Sequence, residues 1–397
     1  MKVLLGIIII ILIWIFCDFL LGRKKHMRIA RKEESTFLYG SLDIFPHGPE
    51  LMADFFNRLK QAKAHIHVLF YIVKKDEISN EFLSILKKKA QEGVQVRLLL
   101  DRLGSHKVSR DTISALKEAG VEFAFSNRLR FPFLFYSSQV RNHRKITIID
   151  GTIAYLGGFN VAKEYIDQDP KLSPWRDYHL KISGESVPFI QRVFLKDWKE
   201  YGGVDLLGDD ALFSKNAPGD VLHQLIPTEA GQLEEIFVER IKAARQSILI
   251  GTPYFIPSKK VFATLLEAIH RGVRLRVIVP AKSDHILVQE ASFPYLRRLL
   301  IAGAEVFEFK NGFYHAKISI FDEKICDIGT ANFDKRSIFL NKEINCFIHD
   351  PKYISRVEDI IKKDLLDSKP LLLADLIKPN FFRSFKESIA GAISLFL

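Results

Sequence analysis

The polarity of the chain changes once near its start and then repeats itself. From Val3 to Leu21 nearly every position is Ile, Leu, Phe or Trp, broken by Gly6 and Asp18. That run is about as long as the roughly 20 residues a helix needs to cross a bilayer. It shows no polar face of the kind a helix on a soluble core carries. It ends Cys17-Asp18-Phe19-Leu20-Leu21-Gly22-Arg23, without the small-residue cleavage site of a signal peptide. One uncleaved transmembrane helix is therefore expected. Arg23, Lys24, Lys25, Arg28, Arg31 and Lys32 follow it, and only Lys2 precedes it. Segments rich in Lys and Arg stay cytoplasmic, which places the body on the cytoplasmic side of a cell membrane. The same cations suit anionic headgroups.

Beyond residue 34 the pattern runs strand, helix, strand, helix, strand, and then does so again. Leu59-Lys60-Gln61-Ala62-Lys63-Ala64 leads into the apolar run His67-Val68-Leu69-Phe70-Tyr71, as Ile241 to Gln246 leads into Ile248 to Phe255. A helical stretch follows in each, then Gly93-Val94-Gln95-Val96-Arg97-Leu98 and Gly272-Val273-Arg274-Leu275-Arg276-Val277. Alternation of this kind predicts an α/β fold with helices covering a sheet. The expected fold class is two homologous α/β sandwich domains related by a pseudo-twofold axis, after the transmembrane helix. Residues 1–34 are the anchor and its basic flank, 35–205 the first half, 206–220 a Gly- and Asp-rich linker, and 221–397 the second half with its tail. The first half carries an insertion, Arg128 to Tyr136, both basic and aromatic. It is either a packed loop or a lipid contact at a cleft mouth. The tail from Phe381 to Leu397 is either a docked terminal helix or one lying on the membrane surface.

Each half then reaches the same chemical pattern. Arg141-Asn142-His143-Arg144-Lys145 runs through Ile149 to Asp150, and on to Gly157-Gly158-Phe159-Asn160. The second copy is His315-Ala316-Lys317 to Asp322, then Gly329-Thr330-Ala331-Asn332. Side chains two apart in a strand share a face, so each His and Lys point the same way. An imidazole titrates near neutrality and serves as nucleophile, base or acid. A fixed ammonium beside it and an amide after a small-residue turn suit the charge on a phosphoryl group in its transition state. Two sets supply two histidines, one to attack phosphorus and one to protonate the leaving oxygen. With lysines doing the neutralising, no metal or cofactor is called for. Asp150 and Asp322 complete the catalytic motif, with a role in organising the turn and the lysine rather than touching substrate.

After each motif a strand opens with an acid: Trp175-Arg176-Asp177 in one half and Asn341-Lys342-Glu343 in the other. A carboxylate that accepts the second ring N–H of a histidine fixes its tautomer. Position in the chain pairs Asp177 with His143 and Glu343 with His315.

Composition narrows the partners. The chain has 397 residues, a net charge of +11 and 48% hydrophobic residues, so two large cores and an anionic partner are expected. Its cysteines, Cys17, Cys326 and Cys346, have no C-x-x-C spacing, which argues against a disulfide framework or a zinc site.

The duplicated pattern resembles the H-K-D motif of the phospholipase D superfamily. Within it the chain is most similar to bacterial cardiolipin synthases, over roughly residues 35 to 397. The resemblance is carried by Gly93 to Asp101, Arg141 to Lys145, Trp175-Arg176-Asp177, Thr252 to Pro257 and Gly329 to Ser337. It implies joining of two phosphatidylglycerol molecules into cardiolipin with release of glycerol, through a phosphohistidine and without metal. On that reading His143 is the nucleophile and His315 the acid and base, or the reverse. Lys145, Lys317, Asn160 and Asn332 hold the phosphate oxygens, and Asp177 and Glu343 orient the histidines. The partners are phosphatidylglycerol and the membrane, not nucleic acid. Three features depart from the family pattern: a single hydrophobic N-terminal segment, Thr330 for a small turn residue, and Ser258 where an acid is frequent. A hydrolytic phospholipase D would use the same residues with water as acceptor.

Overall fold

Strand and helix alternate along most of the chain, and the reason is visible in each boundary. The computed structural model describes residues 2–30, 32–378 and 381–397; Arg31 of the basic flank lies outside the described residues. Helix α1 (Lys2–Ile29) is followed by β1 (Leu38–His47), α2 (Gly48–Gln61), β2 (His65–Phe70), α3 (Glu77–Gln91), β3 (Gln95–Asp101), α4 (Arg110–Glu118) and β4 (Glu122–Ser126). Then come α5 (Leu134–Gln139), β5 (Ile146–Ile149), β6 (Ile153–Gly157), β7 (Trp175–Gly184) and α6 (Val187–Gly202). The second half runs β8 (Val221–Thr228), α7 (Gln232–Ala243), β9 (Ser247–Gly251), α8 (Lys259–His270), β10 (Arg274–Pro280), α9 (Val288–Ala302) and β11 (Glu305–Phe309). It continues with β12 (Phe313–Tyr314), β13 (Ile318–Phe321), β14 (Ile325–Gly329), α10 (Lys335–Phe339), β15 (Glu343–Ile348), α11 (Pro351–Leu366), β16 (Ser368–Pro370), α12 (Leu373–Ile377) and α13 (Phe381–Ile393).

The halves share one sheet. Its order is β16-β11-β10-β9-β13-β14-β15-β8-β1-β7-β6-β5-β2-β3-β4, with β12 added beside β7. The order is nearly palindromic about the β1–β8 pair, where Leu38 and Tyr39 lie opposite His223 and Leu222. Central strands such as β2 are buried on both faces, which is why they read as unbroken apolar runs rather than as alternation. One core, on the face covered by α6 and α11, runs under both halves. On the other face each half has its own core, under α2 and α3 in the first and under α7 and α8 in the second.

Matching caps confirm the repeat. Asp76 accepts the Ser79 N–H at the start of α3, and Ser258 accepts the Val261 N–H at the start of α8. Serine and aspartate are both good N-caps, so the departure at Ser258 keeps the local role of an acid.

Helix α1 is long and apolar enough to cross a membrane. It is exposed over most of its length, but Asp18, Phe19 and Gly22 are buried. They pack on the insertion: Asp18 Oδ1 accepts the Tyr136 N–H at 2.7 Å, and a β-carbon on Gly22 would come within 2.7 Å of the Tyr136 ring. Phe19, Phe135 and Phe396 form one aromatic cluster. The insertion thus docks the anchor, while Leu129 and Phe131 remain exposed. The tail docks on the body through Ala390, which is buried, while Phe381, Phe382 and Phe385 face outward.

Candidate active site

The site forms because each half lends a short piece of backbone to the other. Before β13 the chain leaves its own neighbours, and Phe313 and Tyr314 pair in parallel with Trp175 and Arg176 of β7. The His315 N–H then donates to the Arg176 carbonyl at 2.7 Å. The first half mirrors this: Asn142 bridges to Lys342, and the His143 N–H donates to the Lys342 carbonyl at 2.9 Å. Each motif histidine is therefore set beside the residue that precedes the other half's acid.

That crossover corrects the carboxylate pairing expected from chain position. His143 Nδ1 lies 2.9 and 3.0 Å from the two Glu343 oxygens. His315 Nδ1 lies 2.6 Å from Asp177 Oδ2. Asp177 serves His315 and Glu343 serves His143, so neither half contains a complete pair. A carboxylate on Nδ1 directs the lone pair of Nε2 into the site.

Both carboxylates are anchored in turn. Glu343 accepts hydrogen bonds from Thr330 Oγ1 at 2.7 Å, Ser337 Oγ at 2.9 Å and Asn341 Nδ2 at 3.2 Å. Asp177 accepts the Tyr178 N–H at 2.8 Å and Lys317 Nζ at 3.1 Å. The unmatched turn residues now have a reason. A β-carbon on Gly158 would sit 2.0 Å from Asp177 Oδ1, so that position has no room for a side chain. Thr330, at the equivalent place, donates to the longer acid instead.

Both histidines are nearly buried, at 8% and 7% exposure. Burial lowers the His143 pKa against the pull of Glu343. Burial and the Lys317 ammonium bring His315 down to about 4. Burial pulls Lys145 down to about 7 despite the nearby carboxylates, with Lys317 adding repulsion. Burial would raise Asp177 and Glu343, but the lysines and histidines beside them hold both below their usual range. Neutral imidazoles beside two lysines make a site suited to an anion, whose charge would in turn favour the protonated lysines. Tyr71 meets the His143 ring edge-on at 5.0 Å, and Trp175 lies 4.8 Å from the His315 ring.

Not every expected site residue lies here. Asp150 and Asp322, grouped with the catalytic motif for a role at the turn, have that role. They sit past the far ends of β5 and β13, in left-handed backbone at φ 52° and 53°. Asp150 accepts the N–H groups of Lys63, Ala64 and His65, at 2.9, 2.7 and 3.0 Å. Asp322 does the same for Arg245, Gln246 and Ser247. These carboxylates clamp the turn that leads into β2 and β9. Asn160 is engaged as well, accepting the Ile72 N–H at 3.0 Å and donating to Tyr165 Oη at 3.0 Å. Asn332 Oδ1 is buried and has no hydrogen-bond partner among the described residues.

Two residues that chain reading passed over hold the crossover together. Asp197 in α6 receives Asn142 Nδ2, Arg144 Nη1 and Lys342 Nζ, at 2.9, 2.8 and 3.1 Å. Asp364 in α11 receives Arg176 Nη2 at 2.6 Å. The available signal was a Lys-Asp step in a long helix late in each half, Lys196-Asp197 in α6 and Lys363-Asp364 in α11. Burial would raise the Asp197 pKa, but Arg144 and Lys342 bring it down to about 2. A depressed carboxylate stabilises the fold above its unfolded pKa, near 3.9, and that contribution fades as pH falls toward 2. Asp197→Ala removes the carboxylate from buried Arg144, while Lys342 keeps Glu200, and is expected to cost roughly 3 kcal/mol. Thermal unfolding of the detergent-solubilised protein checks this, and an unchanged midpoint would remove the hub role.

Known proteins resemble this chain in sequence and in fold. A family model described as cardiolipin synthase, PLD-like domain, matches residues 55–171 and 237–365. The minor cardiolipin synthase ClsB of Bacillus subtilis (strain 168) is 40% identical over 400 residues, covering 100% of both chains. The probable cardiolipin synthase YwiE of the same organism is 36% identical, over 94% of this chain and 74% of its own. Among solved structures, phosphatidylserine synthase from Haemophilus influenzae Rd KW20 matches with a TM-score of 0.71 at 16% identity, over 95% of this chain and 99% of its own. That last likeness is one of fold.

Proposed function

We propose the following reaction for a chain that belongs to the cardiolipin synthase family of phospholipase D-like proteins: transfer of a phosphatidyl group from one phosphatidylglycerol to another, yielding cardiolipin and glycerol. The observation that supports the mechanism is the crossed pairing, in which each histidine has the other half's carboxylate on Nδ1.

His143 Nε2 attacks phosphorus, and the bond to the headgroup oxygen breaks. His315 gives its Nε2 proton to that oxygen, and glycerol leaves. A phosphatidyl group now sits on His143. His315 then takes the proton from a headgroup hydroxyl of the second lipid, that oxygen attacks phosphorus, and the P–N bond breaks to restore His143. The lowered pKa of His143 keeps its lone pair available for attack. The arriving phosphodiester's negative charge favours the protonated form of His315, and Lys317 beside that ring makes it a stronger acid. Lys145 and Lys317 balance the charge that develops on the phosphoryl oxygens, and Asn160 and Asn332 shape the cavity around them. The basic flank after α1 supports a single-pass topology with the body on the cytoplasmic side.

The test is detergent-solubilised protein with labelled phosphatidylglycerol and a chelator, followed by lipid separation. Cardiolipin and free glycerol in equal amounts are expected. Phosphatidic acid alone would make the chain a hydrolase with the same residues, and a requirement for added metal would overturn the charge assignment to the lysines.

A further inference from the structure

The two ends of the site differ in charge although the halves repeat in fold. Beside the first half lies a groove of about 700 Å³, lined by Arg102, Leu103, His106, Phe125, Arg128 and Leu129, with Arg141 in its wall. It opens at the carboxyl ends of β3 and β4, where open α/β sheets hold ligands. Arg141 is already committed, with Nη1 3.3 Å from Asp101. Arg102 and Arg128 are exposed and have no carboxylate partner among the described residues; Arg102 only stacks on Phe125, at 4.6 Å. Leu103 and Leu129 are 56% and 66% exposed on the walls. Asp101 cannot neutralise the groove. Its oxygens accept Leu103 N–H, Gly104 N–H, Arg141, Asn127 and Asn142 N–H.

The groove is one ring away from the histidines. Its floor loop rests on Tyr71, through Ser105 Oγ donating to the Tyr71 carbonyl at 3.0 Å, and Tyr71 touches His143. At the matching end of the second half, Asp284 occupies the loop after β10. One of its oxygens accepts Tyr254 Oη at 2.6 Å, and the other has no hydrogen-bond partner among the described residues. Glu308 lines the same end and Lys282 is its one cation among the described residues, so a second phosphate finds no guanidinium pair there.

We propose that the Arg102–Arg128 groove seats the phosphate and upper acyl chains of the second phosphatidylglycerol, with its glycerol headgroup running past Tyr71 toward the histidines. Free guanidinium groups bind phosphate oxygens, and the leucine walls cover alkyl chain. The volume lies within the range of small-molecule sites, enough for a phosphate headgroup and the upper part of its chains. This inference rests on the proposed transfer reaction, which needs two lipids at one site.

The test is the double variant Arg102→Gln with Arg128→Gln, full chain in mixed micelles, over a range of phosphatidylglycerol concentrations. Cardiolipin and phosphatidic acid are both measured, so that water reports on the same phosphatidyl intermediate. At low lipid the cardiolipin rate is expected to fall by about tenfold, with KM raised and kcat recovered at saturation. The ratio of phosphatidic acid to cardiolipin should rise, and Arg102→Lys with Arg128→Lys should restore most of the wild-type ratio. An unchanged ratio overturns the groove assignment, including the case in which both products fall together through weaker contact with the micelle. If the wild-type protein makes no cardiolipin, the transfer reaction itself fails; wild-type cardiolipin with an unaffected variant fails the groove alone.

Discussion

Alanine in place of either His143 or His315 abolishes phosphatidyl transfer, with a loss of at least roughly 10⁴-fold in kcat. The expectation follows from the crossed backbone. Each histidine is held by the other half, so neither copy of the motif can work as a site by itself. Removing the nucleophile leaves no covalent step, and removing the proton carrier strands a poor leaving group on phosphorus. The double variant should lose little more than either single one, because groups acting as a unit are not additive. The steady-state rate with labelled phosphatidylglycerol is the measurement. Substantial activity in either single variant would mean two independent half-sites and would sink the shared cavity.

Much of the fold was legible because the duplication is legible. Matching apolar runs predict matching strands, and the identical His, Lys, Asp and Gly spacing marks the same turn twice. The anchor was plain from length and polarity. What chain order hides is the exchange between halves. Asp177 follows His143 in the same half, just as Glu343 follows His315, and symmetry makes the near partner look correct. The true partners are set by two short backbone pairings, Asn142 with Lys342 and Phe313-Tyr314 with Trp175-Arg176. Those are tertiary contacts between distant segments with no local signature. Asp150 and Asp322 were legible in part: the turn role expected of them is the one seen, where their carboxylates cap the N–H groups leading into β2 and β9. Thr330 shows the reverse case. Its departure from the small-residue pattern looked incidental in sequence, yet its hydroxyl holds the carboxylate that holds His143.

The crossed pairing has a kinetic signature that an in-half pairing would invert. With a phosphatidyl substrate whose leaving group is an activated phenol, departure needs no proton. The first step then depends on the nucleophile and its carboxylate and is indifferent to the acid. Glu343→Gln should behave like His143→Ala and suppress the burst of phenol, by about 10²–10⁴-fold, since the amide no longer fixes the His143 tautomer. Asp177→Asn should behave like His315→Ala: the burst survives, while transfer from phosphatidylglycerol falls by a similar factor. Each carboxylate meets the Nδ1 of one histidine and not of the other, so the two phenotypes sort by histidine, although Asp177→Asn also loosens Lys317 and lowers the size of its burst. The opposite sorting, with Asp177→Asn losing the burst and Glu343→Gln keeping it, would assign the nucleophile to His315 while preserving the crossed pairs. Sorting each carboxylate variant with the histidine of its own half would overturn the crossing. A rapid-mix burst measurement on four single variants therefore decides both which histidine attacks and which half orients it.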